Sequence, residues 1–171
     1  IKGLIIDGES VDTMESGQEG LVILDKTPFY GEKGGQVGDR GTLTHGSAHF
    51  NVTDCQTPYA GVIAHQGILK EGILMVGEPV VAKINEEWRG KIAKHHTANH
   101  ILHWALQKVL GSHIRQAGSL VEPSRLRFDF NHHKALTKEE LREIEQLVNE
   151  KIWDNKPLKT YELQLEDVQN H

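Results

Sequence analysis

The sequence has a single cysteine in 171 residues and contains no long apolar run. One cysteine, Cys55, excludes an internal disulfide framework and is typical of a reducing compartment. Because no apolar stretch reaches the length of a signal peptide or a membrane span, the sequence predicts a cytosolic protein without membrane contact. A formal net charge of -5 excludes a wholesale polycation, although a local basic face can still bind nucleic acid on an acidic protein.

The composition is that of a folded protein. Apolar residues make up 37% of the sequence, which is enough to bury a core as one domain or as two small ones. The chain starts with Ile1 rather than methionine and stops at His171 without an obvious terminal cap. We therefore expect this chain to be a piece of a longer protein.

The first half of the sequence, up to Asn85, has the pattern of a small β-barrel. Its apolar runs are short and are either β-branched or alternating, and glycine-rich turns separate them. The strands that this pattern predicts include residues 20–24, 48–53, 60–64 and 79–84. The sequence thus predicts a β-barrel domain over residues 1–85.

The second half, residues 86–171, mixes helices with strands. Residues 86–110 are predicted to form one or two helices ending at Gly111, and Thr137 with Glu140 three residues later predicts a capping box that starts another helix. Strands are predicted over residues 113–122 and 125–130, and a further candidate strand covers residues 159–163. The whole chain is therefore predicted to be α+β.

The helical stretch KHHTANHILHWAL carries four histidines close together. On a helix His96 and His100 lie one turn apart and His103 points close to the same direction, whereas the apolar residues 101, 102, 105, 106 and 109 point away. Two imidazoles at this spacing can bind one zinc ion, but a zinc site needs three or four protein ligands. Thr97 stands where a metalloprotease needs glutamate, which excludes that class. The spacing alone leaves open a surface stripe or half of a metal site.

A glycine-rich segment, TPFYGEKGGQVGDRG, spans residues 27–41. Gly34, Gly35, Gly38 and Gly41 are best explained as turn glycines where the chain needs a positive φ. The segment lacks the Gly-Lys-Ser/Thr ending of a phosphate-binding loop. Taken alone, it predicts turns rather than a ligand site.

Three segments together resemble a known family in order and spacing. The segments TPFYGEKGGQVGDRG, KHHTANHILHWAL and SHIRQAGSLVEPSRLRFDFNH are similar to the editing region of bacterial alanyl-tRNA synthetases and of related free-standing editing proteins. The resemblance covers roughly residues 18 to 165, and it is specific because three unrelated motifs match in order. It implies a β-barrel of the translation-protein type, followed by a truncated α+β editing core of the kind found as the second additional domain of threonyl- and alanyl-tRNA synthetases.

The resemblance implies a domain that hydrolyses tRNA(Ala) wrongly charged with serine or glycine. Such a second step is needed because a pocket that admits alanine cannot exclude glycine and only weakly rejects an added hydroxyl. In the family, zinc is held by the His-x-x-x-His pair, here His96 and His100, and by a later Cys-x-x-x-His segment that this sequence lacks. We therefore expect the zinc site to be incomplete and the isolated chain to be weakly active or inactive. Cys55 is not a candidate ligand, and His132 and His133 are expected to be loop residues.

Hydrolysis of an ester requires a positioned water, a stabilised oxyanion and contacts to the misplaced amino acid. By resemblance, Gln116 lies in the pocket, where its amide orients water or contacts the substrate, and Thr27 supplies a hydroxyl that recognises serine. The family usually has threonine immediately before the second histidine, whereas this sequence has Asn99. Asparagine keeps hydrogen-bonding capacity but lacks the methyl and hydroxyl groups, so this departure bears on serine discrimination.

The implied partner is the aminoacylated 3′ end of tRNA(Ala), and no protein partner is implied. Basic residues before the histidines and on the predicted strands are candidates for phosphate contacts. They are Arg89, Lys91, Lys94, Arg115, Arg125 and Arg127. Because no aromatic residues are interleaved with them, contacts to the RNA phosphate backbone are favoured over recognition of individual bases. The resemblance further implies a parent enzyme that joins alanine to tRNA with ATP and magnesium, in a domain outside this sequence.

Two alternatives stay open. One is the editing domain of threonyl-tRNA synthetases, which shares a His-x-x-x-His helix, although the TPFY and GGQVGD segments favour the alanyl type. The other is a non-catalytic tRNA-binding module. Hydrolysis of Ser-tRNA(Ala) that is lost on changing His96 would distinguish an enzyme from such a module.

Overall fold

The structure, a computed structural model, describes residues 1–157 and is a mixed α and β fold with antiparallel sheets. The strands of the first half are β1 (Gly3–Ile6), β2 (Glu9–Val11), β3 (Thr13–Glu15), β4 (Glu19–Ile23), β5 (Gly41–His45), β6 (Ala48–Tyr59), β7 (Val62–Glu71), β8 (Ile73–Met75) and β9 (Val81–Ile84). They are followed by α1 (Glu86–Leu110), β10 (Gln116–Val121), β11 (Leu126–Phe130) and α2 (Lys138–Trp153). At this level the predicted α+β class is confirmed.

The main sheet has seven antiparallel strands in the order β2-β1-β4-β7-β6-β5-β9. Within residues 1–157 no ladder joins the edge strands β2 and β9, so the predicted barrel is not closed by hydrogen bonds. The physical reason lies at β2, which has only three residues. The chain then turns into β3, which pairs with β8 in a separate ribbon instead of completing the ring.

The core of the β part follows from alternation along the strands. In β6, Ala48, Phe50 and Val52 point inward while His49 and Thr53 are exposed, as the period of two requires. Fully buried apolar residues from the other strands join them: Leu4, Met14, Val22, Leu43, Leu69 and Leu74. Each such side chain contributes about 1.5–3 kcal/mol through burial, so this core is the main stabilising feature of residues 1–85.

Helix α1 is one continuous helix that begins where the sequence changes pattern. Asn85 caps it by accepting a hydrogen bond from Trp88 N at 2.9 Å, and Gly111 ends it with φ 114°. The predicted capping box of α2 is confirmed, since Thr137 and Glu140 exchange both bonds. A second core forms where the helices meet the β10–β11 hairpin, around Ala105, Leu106, Ile114 and Ile144.

Some elements differ from the sequence prediction. No strand was predicted before residue 20, whereas β1, β2 and β3 lie there with three or four residues each, too short to show a clear period. Strands β6 and β7 form a longer hairpin than predicted, from Ala48 to Glu71. The candidate strand at 159–163 lies outside the described residues. In the part of the chain that the structure describes, no helix is both long and apolar enough to cross a membrane.

Candidate active site

The glycine-rich segment forms a loop that docks against β10. Val121 N donates to Gly35 O at 2.8 Å, and Val37 N donates to Val121 O at 3.2 Å. Gly34 and Gly35 have φ of 62° and 84°, as predicted, and a Cβ on Gly35 would collide with the Ser119 carbonyl. The loop is therefore held close to β10 by its backbone.

The other two glycines of the segment were predicted to need positive φ, and that prediction is wrong. Gly38 and Gly41 are not among the positive-φ glycines of the described chain. They are required by close backbone packing instead, because a Cβ on Gly38 would collide with Cys55 O and one on Gly41 with Lys83 O. Close approach of two backbones cannot be read from a local pattern, which explains the error.

An ion pair between buried Asp39 and partly exposed Arg89 links the start of α1 to this loop. Asp39 is 1% exposed, and Arg89 Nε donates to its two carboxylate oxygens at 2.8 and 3.0 Å, with a further contact from Nη2. The carboxylate also accepts from Tyr30 N at 2.7 Å, and the pKa of Arg89 is raised, chiefly by its hydrogen bond to Asp39. Trp88 adds a bond from its ring N–H to Gly38 O at 3.2 Å. These contacts fix the orientation of α1 relative to the β part.

His96 faces the loop that these contacts position. Its Nδ1 lies 2.7 Å from Oε1 of Gln36, a side chain only 8% exposed. Because an amide oxygen only accepts, Nδ1 carries the proton and Nε2 keeps its lone pair free. Gln36 is held in turn by the loop, where it bridges to Lys33 and Val121. A residue from the β part therefore sets the tautomer of the first predicted metal ligand.

The second predicted ligand lies beside the first. The rings of His96 and His100 are stacked, with centroids 5.1 Å apart and an interplanar angle of 20°. The pKa of His96 is lowered, first by partial burial and then by the neighbouring His100. Both effects favour the neutral imidazole, which is the form that binds metal.

Asn99 is buried next to the histidine pair, and His103 is partly buried one turn further along α1. Asn99 is 6% exposed, and the ring of His103 packs 5.0 Å from that of Phe128. Because α1 is one continuous helix, His103 still lies on the same face as His96 and His100, with its ring packed against Phe128. Asn99 Oδ1 and His103 Nε2 are buried and find no hydrogen-bond partner among residues 1–157. Unpaired buried polar atoms are uncommon and mark a place where stability is given up.

The other predicted site residues lie on different elements. Gln116 starts β10 and is exposed, and its Nε2 donates to Ser119 Oγ at 3.1 Å. Thr27 lies in the β part, where its hydroxyl is 2.8 Å from Nε2 of buried His65 and also accepts from Phe29 N at 3.1 Å. Ser119 contacts Gly34 O at 3.4 Å, so Gln116 is linked to the glycine-rich loop, whereas Thr27 belongs to a different network.

His65 is a buried titratable residue that no local sequence pattern indicated. Its Nδ1 donates to Val22 O at 2.8 Å, which leaves Nε2 to accept from Thr27. Burial lowers the pKa of His65, although the bond to Val22 opposes the shift. The only signal in the sequence was a histidine inside an apolar run, and such a signal does not reveal a partner 38 residues away.

The basic residues proposed for phosphate contacts mostly have protein partners. Arg89 pairs with Asp39, so its guanidinium is less available for a phosphate than the sequence suggested. The remaining pairs are exposed: Lys91 with Glu87, Arg125 with Glu122, and Arg127 with Asp129. Exposed pairs of this kind are weak and can exchange for phosphate contacts.

Two expectations about cysteine and loop histidines agree with the structure. Cys55 is fully buried, and burial together with Asp39 and Asp54 raises the pKa of its thiol, which suppresses the thiolate that a metal needs. His132 and His133 lie in the loop after β11. Their nitrogens, however, lie within 4.8 Å of those of His113, forming a cluster that no local spacing indicated.

The chain is similar in sequence to known proteins over almost its whole length. A family model described as tRNA synthetases class II (A) matches residues 1–88. The chain is 49% identical over 169 residues to the alanine–tRNA ligase of Acidithiobacillus ferridurans and 50% identical over 170 residues to that of Chlamydia muridarum, with 99% of this chain covered in each case. The alanine–tRNA ligase of Cupriavidus necator is 47% identical over 155 residues, which cover 91% of this chain. The chain spans only 19% of the length of the first two relatives and 18% of the third.

Proposed function

This chain belongs to the class II tRNA synthetases (A), and from that membership we propose that it is the editing region of an alanine–tRNA ligase. In this proposal it hydrolyses the ester bond of Ser-tRNA(Ala) and Gly-tRNA(Ala). The observation that carries the proposal is the 2.7 Å hydrogen bond between His96 and Gln36, because it joins the helix histidines to the glycine-rich loop across 60 residues of sequence.

The proposed activity answers a physical limit on amino-acid selection. A pocket shaped for alanine cannot exclude the smaller glycine, and an apolar pocket rejects an added hydroxyl by only about a hundredfold. A second site that hydrolyses the wrong ester supplies the remaining discrimination. An alanine–tRNA ligase therefore needs a region of this kind.

We propose His96 and His100 as two ligands of a zinc ion. The bond from Nδ1 of His96 to Gln36 resembles the outer contact that fixes a ligating histidine in metal sites. The donor set fits half of a tetrahedral site, since no third histidine, cysteine or carboxylate clusters with this pair among residues 1–157. When bound, zinc supplies a positive charge that polarises an ester carbonyl or activates water.

The side chains of this chain divide the remaining tasks. Gln116 bonds to Ser119 through one amide hydrogen, so its oxygen and second hydrogen are free to orient a water toward the ester. Asn99 Oδ1, buried without a partner in the described chain, is proposed to accept from the substrate amine or hydroxyl. Thr27 keeps one oxygen lone pair after its bonds to His65 and Phe29, and that lone pair is proposed to contact a seryl hydroxyl.

The proposed nucleic-acid partner is the aminoacylated 3′ end of tRNA(Ala). Contacts are expected to the phosphate backbone through exposed basic residues such as Lys94, Arg125 and Arg127, because backbone contacts position a ligand without reading bases. The parent ligase is proposed to use ATP and magnesium in a part of the protein outside this sequence, and to work in the cytoplasm.

We also propose that the chain contains two units, a barrel-like unit over residues 1–85 and the first part of the editing core over residues 86–171. Support comes from the two separate hydrophobic cores, one built from residues 1–84 and the other from residues 102–148. The Arg89–Asp39 ion pair lies between them.

The competing functions are a threonyl-type editing domain and a non-catalytic tRNA-binding module. The relatives that match nearly the whole chain are alanine–tRNA ligases, which supports the alanyl type. A binding module would retain affinity for tRNA but would not accelerate hydrolysis of Ser-tRNA(Ala).

The proposal is tested in the full-length ligase that contains this sequence. His96→Ala is expected to slow Ser-tRNA(Ala) hydrolysis by about a hundredfold while alanine attachment is unchanged. His49→Ala, which changes an exposed strand histidine, is the matched control and should leave both activities intact. Wild-type protein that binds the tRNA without hydrolysing the mischarged ester would instead support the binding module.

A further inference from the structure

Three histidines meet at the open end of the β10–β11 hairpin. His113 lies just before β10, and His132 and His133 follow β11. The two segments are held side by side because Asn131 N donates to Arg115 O at 3.3 Å. One nitrogen from each ring lies within 4.8 Å of the others.

The distances suit a shared metal ion. His113 Nε2 lies 3.2 Å from His132 Nδ1. In a tetrahedral site with metal–nitrogen bonds of about 2.1 Å, neighbouring ligand nitrogens are about 3.4 Å apart. The centroid of His133 is 4.7 Å from that of His132 and 5.8 Å from that of His113, so the third ring needs only a side-chain adjustment on an exposed loop.

The surroundings also admit a cation. Lys134 is the nearest positive charge in sequence, and its ammonium pairs with Glu140 at 3.1 Å, which offsets that charge. The ring of His132 is partly buried, and its Nε2 finds no hydrogen-bond partner in the described part of the chain. The other ring nitrogen of His132, Nδ1, lies toward His113. It is therefore the nitrogen of His132 that a shared ion would bind.

We propose that His113, His132 and His133 form a second metal site, which binds zinc through three imidazoles with water as the fourth ligand. Imidazole donors suit zinc and its transition-metal neighbours but not magnesium or calcium, which need oxygen ligands. The ion would clamp the end of the hairpin from which Gln116 projects. This inference does not depend on the proposed editing function, because it concerns binding alone.

The experiment measures zinc binding to the 171-residue chain by equilibrium dialysis and by the visible spectrum of the cobalt(II)-substituted protein. Wild type and the double variant His96→Ala/His100→Ala are both expected to bind one ion with a four-coordinate cobalt spectrum. His132→Ala is expected to weaken binding by about tenfold or more, because one of three protein ligands is removed. His133→Gln, at an exposed loop position, should weaken binding similarly and carries little risk to folding.

Specific outcomes would overturn the proposal. They are zinc binding that is lost with His96 and His100 but unchanged by His132→Ala and His133→Gln, or no zinc binding by the wild-type chain. Magnesium at the same concentration serves as the ionic control, and its binding at equal strength would show a nonspecific site. Circular dichroism of each variant ensures that lost binding is not lost folding, and His133→Gln decides the matter if His132→Ala does not fold.

Discussion

The two parts of the molecule treat their buried polar groups differently. In residues 1–85, His65 and Asp39 are both at most 1% exposed, and each has partners for its polar atoms. In residues 86–157, by contrast, Asn99 Oδ1, His103 Nε2 and His132 Nε2 are buried without any hydrogen-bond partner among the described residues. All such atoms in the described chain belong to the second part.

This difference indicates which part of the fold contains buried polar atoms that lower its stability. Leaving a buried polar atom unpaired costs about 1–3 kcal/mol, so an ordered water, an ion or a substrate is expected to compensate for such an atom. In the β part the buried polar groups are paired, and the bonds of Asp39 hold the glycine-rich loop in place. In the helical part the unpaired groups lie next to the proposed zinc ligands and within the histidine cluster.

The largest expected effect on stability concerns the Arg89–Asp39 ion pair between the two parts. Arg89→Met should lower the free energy of unfolding by about 3 kcal/mol, the low end for a broken buried pair, because it leaves the buried Asp39 carboxylate without a charge partner that is itself partly exposed. Lys91→Met removes an exposed pair with Glu87 and should leave stability nearly unchanged. Urea unfolding of the 171-residue chain measures both. Equal effects of the two substitutions would mean that the Arg89–Asp39 pair stabilises the fold no more than the exposed Lys91–Glu87 pair does.

A second prediction sharpens the assignment of the helical part to hydrolysis. If the proposed role of Gln116 is correct, Gln116→His in the full-length ligase should slow hydrolysis of Ser-tRNA(Ala) by about a hundredfold, because the amide proposed to orient the water is lost. Alanine attachment should stay nearly unchanged, since we propose that it takes place in a part of the ligase outside this sequence. Gln66→His, at an exposed position of β7, is the control. Equal loss of both activities on changing Gln116 would refute its role.

The third prediction tests the contact that crosses from the loop to α1. Gln36→Leu should weaken zinc binding at His96 and His100 by about 10- to 100-fold in the full-length ligase, because it removes the acceptor that sets the tautomer of His96. Gln36→Glu restores an acceptor and should retain most of the affinity. Competition with a zinc chelator measures both. If leucine and glutamate behave alike, the hydrogen bond does not orient the histidine.

The fourth prediction is a pH dependence that originates in the β part. Because burial lowers the pKa of His65, the unfolded chain takes up a proton before the folded chain does. The stability that neutral His65 contributes is therefore complete above the ordinary histidine pKa of about 6.5 and is lost as pH falls through the lower folded pKa. Unfolding of wild type and His65→Gln across this range should converge on acidification. Parallel curves would show that His65 is not the responsible group.

The smallest expected effect comes from Asn99. Asn99→Leu should change the free energy of unfolding by less than about 1 kcal/mol or raise it, because it removes an atom that has no partner in the described chain. His65→Leu, which breaks two buried hydrogen bonds, should destabilise by about 1–3 kcal/mol. Thermal unfolding of the two variants compares them directly. A large loss of stability in Asn99→Leu would show that Asn99 makes a stabilising contact, contrary to the proposed difference between the two parts.

Elements with strong local signals were predicted well. Helix α1, its Gly111 end and the capping box at Thr137 depend on contacts within a few residues, so their sequences suffice to specify them. Short strands such as β2 and β3 were missed because three residues carry no measurable period. Barrel closure was also beyond the sequence, since it depends on which distant strand pairs with each edge.

The candidate site shows the same division. The spacing of His96 and His100 and the resemblance of the three segments identified a histidine pair that stacks in the structure. Gln36 was predicted to lie in a segment of turns, and nothing in its neighbourhood indicated a bond to a helix 60 residues away. The commitment of Arg89 to Asp39 was hidden for the same reason.

The sequence by itself therefore determined which segments are helical, where they are capped and which family the chain resembles, because these properties are written in local order. Tertiary structure alone decided that Gln36 orients His96, that Asp39 neutralises Arg89 and that His113 meets His132 and His133. Each of these contacts joins residues at least 19 positions apart, and such contacts form only when sheets and helices pack. Their energies come from burial and from the geometry of the packed state, which no single stretch of sequence contains.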